Sequence, residues 1–160
     1  MRRTVTYLAI VLMVLAGIRP AQAASNPVIN VGTAGIELCP QFICGAAIFT
    51  GFLQGQVGGN NNAFGTFIAA LTHDPLPPPL GTAALTGGVF ELRVGLRRIR
   101  GIVLPFDPVT NTGTLFNTGQ NTYVVNAVLL ITSGGSGTVH YQGLLNHNTF
   151  PPTIVGTITQ

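Results

Sequence analysis

TYVVNAVLLIT (residues 122–132), SGGSG (133–137) and TVHYQGLLN (138–146) follow one another and read as two strands joined by a tight glycine-rich turn. Valine, isoleucine, tyrosine and threonine suit the pleated backbone, and a Ser/Gly run between two such segments is a strong hairpin signal. In the second segment His140 and Gln142 share one face. In the first, residues 123–131 are largely apolar on both faces. Such a strand is covered on both sides, by a core on one and by another subunit, a chain arm or a ligand on the other.

The same grammar extends outward from this hairpin. Ala46–Val57, Ala63–Thr72, Val89–Leu96, Arg98–Leu104, Thr114–Asn117 and Thr153–Thr159 are of strand length and strand composition. Between them stand turn signals: Gly58-Gly59-Asn60-Asn61-Asn62, Pro75–Pro79, Asp107–Gly113, Thr118–Asn121 and Phe150-Pro151-Pro152. Proline donates no ladder hydrogen bond, so the Pro75–Pro79 stretch must leave the sheet. In Val89–Leu96 the alternation places Phe90, Leu92, Val94 and Leu96 on one face, with Glu91 and Arg93 on the other. About eight strands with short connections predict an all-β fold. The economical form is a small antiparallel meander barrel, with a two-sheet β-sandwich as the second choice. Mid-strand glycines at Gly51, Gly55, Gly65, Gly95, Gly101, Gly143 and Gly156 predict bulges, barrel corners or close backbone approaches.

The domain reading has three parts: residues 1–23 a cleaved signal peptide, 24–44 an extended N-terminal arm with a cysteine loop, and 45–160 a single β-barrel domain. Arg2 and Arg3 precede the apolar run Val5–Ile18, and Ala21-Gln22-Ala23 is a small-x-small cleavage pattern. The run is shorter than the ~20 residues a spanning helix needs. The expected destination is secreted or periplasmic, with no membrane span after signal removal.

Charge tells the same story. The formal net charge is +3, but Arg2, Arg3 and Arg19 lie in the leader. From Ala24 onward, Arg93, Arg97, Arg98 and Arg100 stand against Glu37, Asp74, Glu91 and Asp107. A neutral chain without lysine gives no electrostatic case for nucleic acid. So few charges also oppose self-association weakly, which makes a homo-oligomer or self-assembly an expected partner class. An outer-membrane barrel is disfavoured, because there is no tryptophan and there are only three tyrosines for aromatic girdles.

Cys39 and Cys44 are the only cysteines, and in an oxidising compartment such a close pair reads as a disulfide. The densest polar feature is Glu91, Arg93, Arg97, Arg98 and Arg100. Guanidinium forks bind carboxylates and other anions. Glu91, Arg93, Arg98 and Arg100, together with His140, are therefore the candidate ligand-binding residues, with Arg93 expected beside a partly buried Glu91. The competing reading is a solvated cluster of ion pairs.

Catalytic and metal chemistry find little footing. His73, His140 and His147 show no metal-ligand spacing, and Ser25, Ser133 and Ser136 lie in no nucleophile elbow. The residues predict no catalytic set, no metal and no cofactor. Asp107–Gly113 carries too few carboxylates for a calcium loop and reads as a turn. The leading functional reading is a non-catalytic binding or assembly module, in which the Ala24–Leu38 arm is free to complete a neighbour's sheet. The alternative is a barrel binding, or acting on, a small hydrophobic or anionic ligand, with Glu91 and the arginines at the cavity mouth. In architecture alone this resembles barrels of the lipocalin or dirigent kind, without a motif of either.

Overall fold

The computed structural model describes residues 28–160. The signal-peptide reading and the start at Ala24 lie outside the described residues. Among the described residues nine strands form: β1 (Ile29–Cys39), β2 (Ala47–Val57), β3 (Asn60–His73), β4 (Thr82–Val94), β5 (Arg97–Val103), β6 (Thr114–Asn117), β7 (Thr122–Ser133), β8 (Gly137–Asn146) and β9 (Thr153–Thr159). One helical turn, α1 (Gln41–Cys44), lies between β1 and β2. The hairpin quoted above is β7–β8, paired from Thr122↔Asn146 to Ile131↔Gly137.

Every sheet edge is closed. β1 pairs with β2 and β9, β3 with β4, β4 with β5, and β5 with β7, so the antiparallel ladder returns on itself as an eight-strand barrel. β5 and β6 share one position in it. β5 lies between Gly88–Val94 of β4 and the end of β7, whereas β6 lies between Thr82–Ala84 and the start of β7. They act as one strand interrupted by residues 104–113. That loop borders the outer face of β7, where Leu104, Pro105 and Phe106 form a groove with Val128. It is part of the second cover that the two-sided apolar pattern of β7 requires.

Residues 29–39 correct one expectation. They are a barrel strand between β2 and β9, not an arm, and so are committed to their own sheet. The pattern is in the sequence: Ile29, Val31, Thr33 and Glu37 are all buried on one face of β1. The intervening Gly32, Ala34 and Gly35 lowered the strand signal, because small residues pack weakly on a pleated surface. Leu96 also departs from its expected inner face. Gly95 and Leu96 form the two-residue β4–β5 turn, with Gly95 at a φ of 57°, and Leu96 is fully exposed.

The barrel interior is filled. A Cβ at Gly35 or Gly51, which pair across β1–β2, would collide with backbone and with the Phe67 ring. Gly143 and Gly156, paired across β8–β9, lie likewise under the Tyr141 hydroxyl. These aromatic rings occupy the volume that the glycines leave. The cavity that remains between Thr33 and Tyr141 is about 50 Å³, too small for anything but one or two waters.

Candidate functional site: the capped barrel mouth

One end of the barrel is not filled. Where β1, β3 and β8 end and β2, β4 and β7 begin, inward side chains such as Phe49, Leu71, Leu85, Val125 and Leu145 line a cavity of about 470 Å³. That volume falls within the range of small-molecule sites, which are typically apolar with a few placed polar groups.

A cap covers this mouth. Cys39 and Cys44 are joined by a disulfide, with Cα atoms 6.1 Å apart, and the bridge holds α1 at the rim. Gln41 ties the cap to the end of β3: its Nε2 donates to His73 O at 2.8 Å, and His73 N–H donates to Oε1 at 2.7 Å. Directly after His73 comes the proline loop, whose Pro75 and Leu76 also face the cavity. Buried Asn117 fixes that loop, donating from Nδ2 to Pro77 O at 2.9 Å and accepting at Oδ1 from Gly119 N–H at 2.8 Å.

Besides Gln41 and His73, two polar side chains from opposite ends of the sequence line the mouth. Glu37, 5% exposed, sits where the inward row of β1 reaches the rim. His147 continues the inward row Val139, Tyr141, Gly143 and Leu145 of β8. Glu37 Oε2 lies 3.0 Å from His147 Nε2. Both atoms are sealed from solvent, yet the angle is not that of a directed hydrogen bond. The pair is thus incompletely hydrogen-bonded, and both side chains line the cavity. The Tyr123 ring, 5.2 Å from the imidazole and tilted 57°, packs on its other side. Among the described residues this is the only carboxylate–imidazole contact.

The residues singled out from the sequence lie elsewhere. Glu91, Arg93, Arg98 and Arg100 do come together, but on the outer wall and away from the cavity mouth. The reason is strand parity. Phe90 and Leu92 point inward on β4, so Glu91 and Arg93 point out, as do Arg98 and Arg100 on β5. Glu91 contacts Arg93, lies 2.5 Å from Arg100 Nε and is 3.5 Å from Arg98 Nε. The Arg93 and Arg100 guanidiniums hold its carboxyl down at about 2. His140 stands apart, on the outer face of β8 opposite Val128, in a groove beneath loop 104–113. Within the barrel, burial pushes the Tyr141 phenol up to about 12, opposed by the Thr33 hydroxyl.

Comparison of the chain with family models, curated proteins and solved structures finds no match.

Proposed function

We propose that the protein is a binding module of an extracytoplasmic compartment, taking one small, largely apolar molecule with a hydrogen-bond donor into the capped mouth. The observation that carries this reading is buried Glu37 against half-buried His147 on the wall of a largely apolar cavity of about 470 Å³. A buried polar pair normally has its hydrogen bonds satisfied within the protein. Here the pair is incompletely satisfied and faces open volume, the arrangement expected of a site completed by its ligand. The Cys39–Cys44 disulfide at the rim suits an oxidising compartment. Assembly through a free arm has less support, because β1 is already paired on both edges.

Fluorescence titration with 2-naphthol and with 2-methoxynaphthalene tests the reading. The two have similar apolar bodies, and only the first donates a hydrogen bond. A hydrogen bond to a charged group contributes ~1.5–3 kcal/mol, so 2-naphthol should bind roughly 10- to 100-fold more tightly. Glu37→Gln should reduce that advantage to a few-fold, and Leu76→Trp at the exposed rim should weaken both ligands. Equal affinities in the unmodified protein would overturn the role given to the pair.

A further inference from the structure

At the end opposite the mouth, the outer wall carries Arg93, Arg98 and Arg100, and Arg97, which shares the parity of inward Ile99 on β5, lies across the barrel end. Side chains on one rung of the ladder follow from the register: Phe52 on β2, Thr66 on β3, Arg93 on β4 and Arg98 on β5. The next rung toward the mouth is Thr50, Ile68, Glu91 and Arg100. Beyond Arg93 and Arg98, the β4–β5 turn presents Leu96 with no cover at all, 107% exposed. Beside that turn Phe64 and Phe52, 62% and 59% exposed, stack with ring centroids 5.7 Å apart. Arg97 crosses the same end, its Nη2 donating to Gly134 O at 3.3 Å.

Ion pairing within the wall does not account for these groups. Arg93, Arg97, Arg98 and Arg100 against Glu91 leave a local charge of +3 in a region where no other carboxylate contacts them among the described residues. One carboxylate offers about four lone-pair sites, whereas three guanidiniums offer about fifteen N–H donors. Nor does folding explain three large apolar side chains left in water around them. Guanidiniums that bind phosphate, next to aromatic and aliphatic side chains at one projecting tip, are the elements of a surface that settles into a headgroup layer.

We propose that this end docks on an anionic lipid bilayer, with Leu96, Phe64 and Phe52 entering the interface and Arg93, Arg97, Arg98 and Arg100 meeting lipid phosphates. β4 runs from the mouth to the docking tip, so docking leaves the capped mouth facing the aqueous side. The inference stands apart from the ligand reading and does not require it.

Co-sedimentation with vesicles of phosphatidylcholine containing about one-third phosphatidylglycerol tests it, against vesicles of phosphatidylcholine alone. Residues 1–27 are common to every variant, so differences between variants report the wall. Binding is expected on the anionic vesicles and should weaken with added salt. At ~1 kcal/mol per arginine, Arg93→Gln with Arg98→Gln should lower the partition coefficient roughly 25-fold. Leu96→Ser should also lower it. Glu91→Gln should raise it, since it releases the arginines and adds positive charge, whereas a cluster that only holds the fold together would show no such gain. Equal binding to both vesicle types, or an unchanged partition coefficient in the double arginine variant, would overturn the proposal. So would binding to soluble polyphosphate but to neither kind of vesicle.

Discussion

Glu37 Oε2 and His147 Nε2 meet at 3.0 Å across the barrel mouth, although one side chain comes from the first strand and the other from just beyond the eighth. The contact exists only because β1 and β8 both pair with β9, which places the ends of their inward rows on the same rim. It joins fold to site: the closure that removes the sheet edges also assembles the polar wall of the cavity.

Loss of the imidazole leaves the Glu37 carboxyl buried without its partner. His147→Ala should therefore destabilise the protein by about 2–3 kcal/mol, less than for a fully enclosed pair because the imidazole is itself partly exposed. Urea unfolding of the two proteins measures the difference. A change below ~0.5 kcal/mol would mean that water already satisfies Glu37.

The filled interior makes its own prediction. Gly51→Ala places a methyl group against Ala34 O, the Gly35 Cα and the Phe67 ring at once. Overpacking of this kind costs about 1–3 kcal/mol. Thermal unfolding of the variant should show that loss, while Gly59→Ala, which meets nothing within 4 Å, should leave stability nearly unchanged.

Much of this was legible in the residues. The β7–β8 hairpin, β6 and β9 follow directly from strand composition and turn chemistry, and the closed barrel follows from the short sequential connections. What escaped has definite causes. Gly87 and Gly88 masked the first half of β4, where the chain makes a bulge against Thr72 and His73. Glycine and alanine likewise hid β1, and with it the burial of Glu37. Parity along Ile29, Val31, Thr33 and Glu37 was the available signal, and the row Val139, Tyr141, Gly143, Leu145 and His147 was its counterpart. No local pattern reveals that these two rows end side by side, because their proximity is a consequence of closure. The Glu91 cluster drew notice as the densest run of charge, but charge density alone does not say which side of the wall a side chain occupies.

The disulfide closes a short loop, so its loss costs relatively little entropy. A separation of 5 residues corresponds to about 2 kcal/mol. Reduction, or replacement of Cys39 and Cys44 by serine, should lower the melting temperature by that equivalent. It should also speed ligand dissociation from the mouth, because the bridge holds α1 over it. An unchanged dissociation rate would remove α1 from the account of the site.

Acid should act on the outer wall. Glu91 is held at about 2, below its ordinary value of 4.5, by hydrogen bonds from Arg93 and Arg100. Its pairing therefore contributes in full above about pH 4.5 and fades as pH falls toward about 2. Asp107, lowered by the Val109 N–H and the Thr110 hydroxyl, fades in the same direction. Melting temperatures across this range should fall less steeply for Glu91→Gln than for the unmodified protein. Parallel curves would show that the ion pairs contribute nothing to folding.

Amide and methyl chemical-shift mapping of isotope-labelled protein during titration with 2-naphthol tests the central claim most directly. The account predicts saturable one-to-one shifts concentrated on the mouth, at Glu37, Leu76, Leu85, Leu145 and His147, with Val31 and Ile99 deep in the barrel little changed. Shifts confined to the outer wall around Glu91 and Ile102, or no saturable shifts in the mouth, would contradict it.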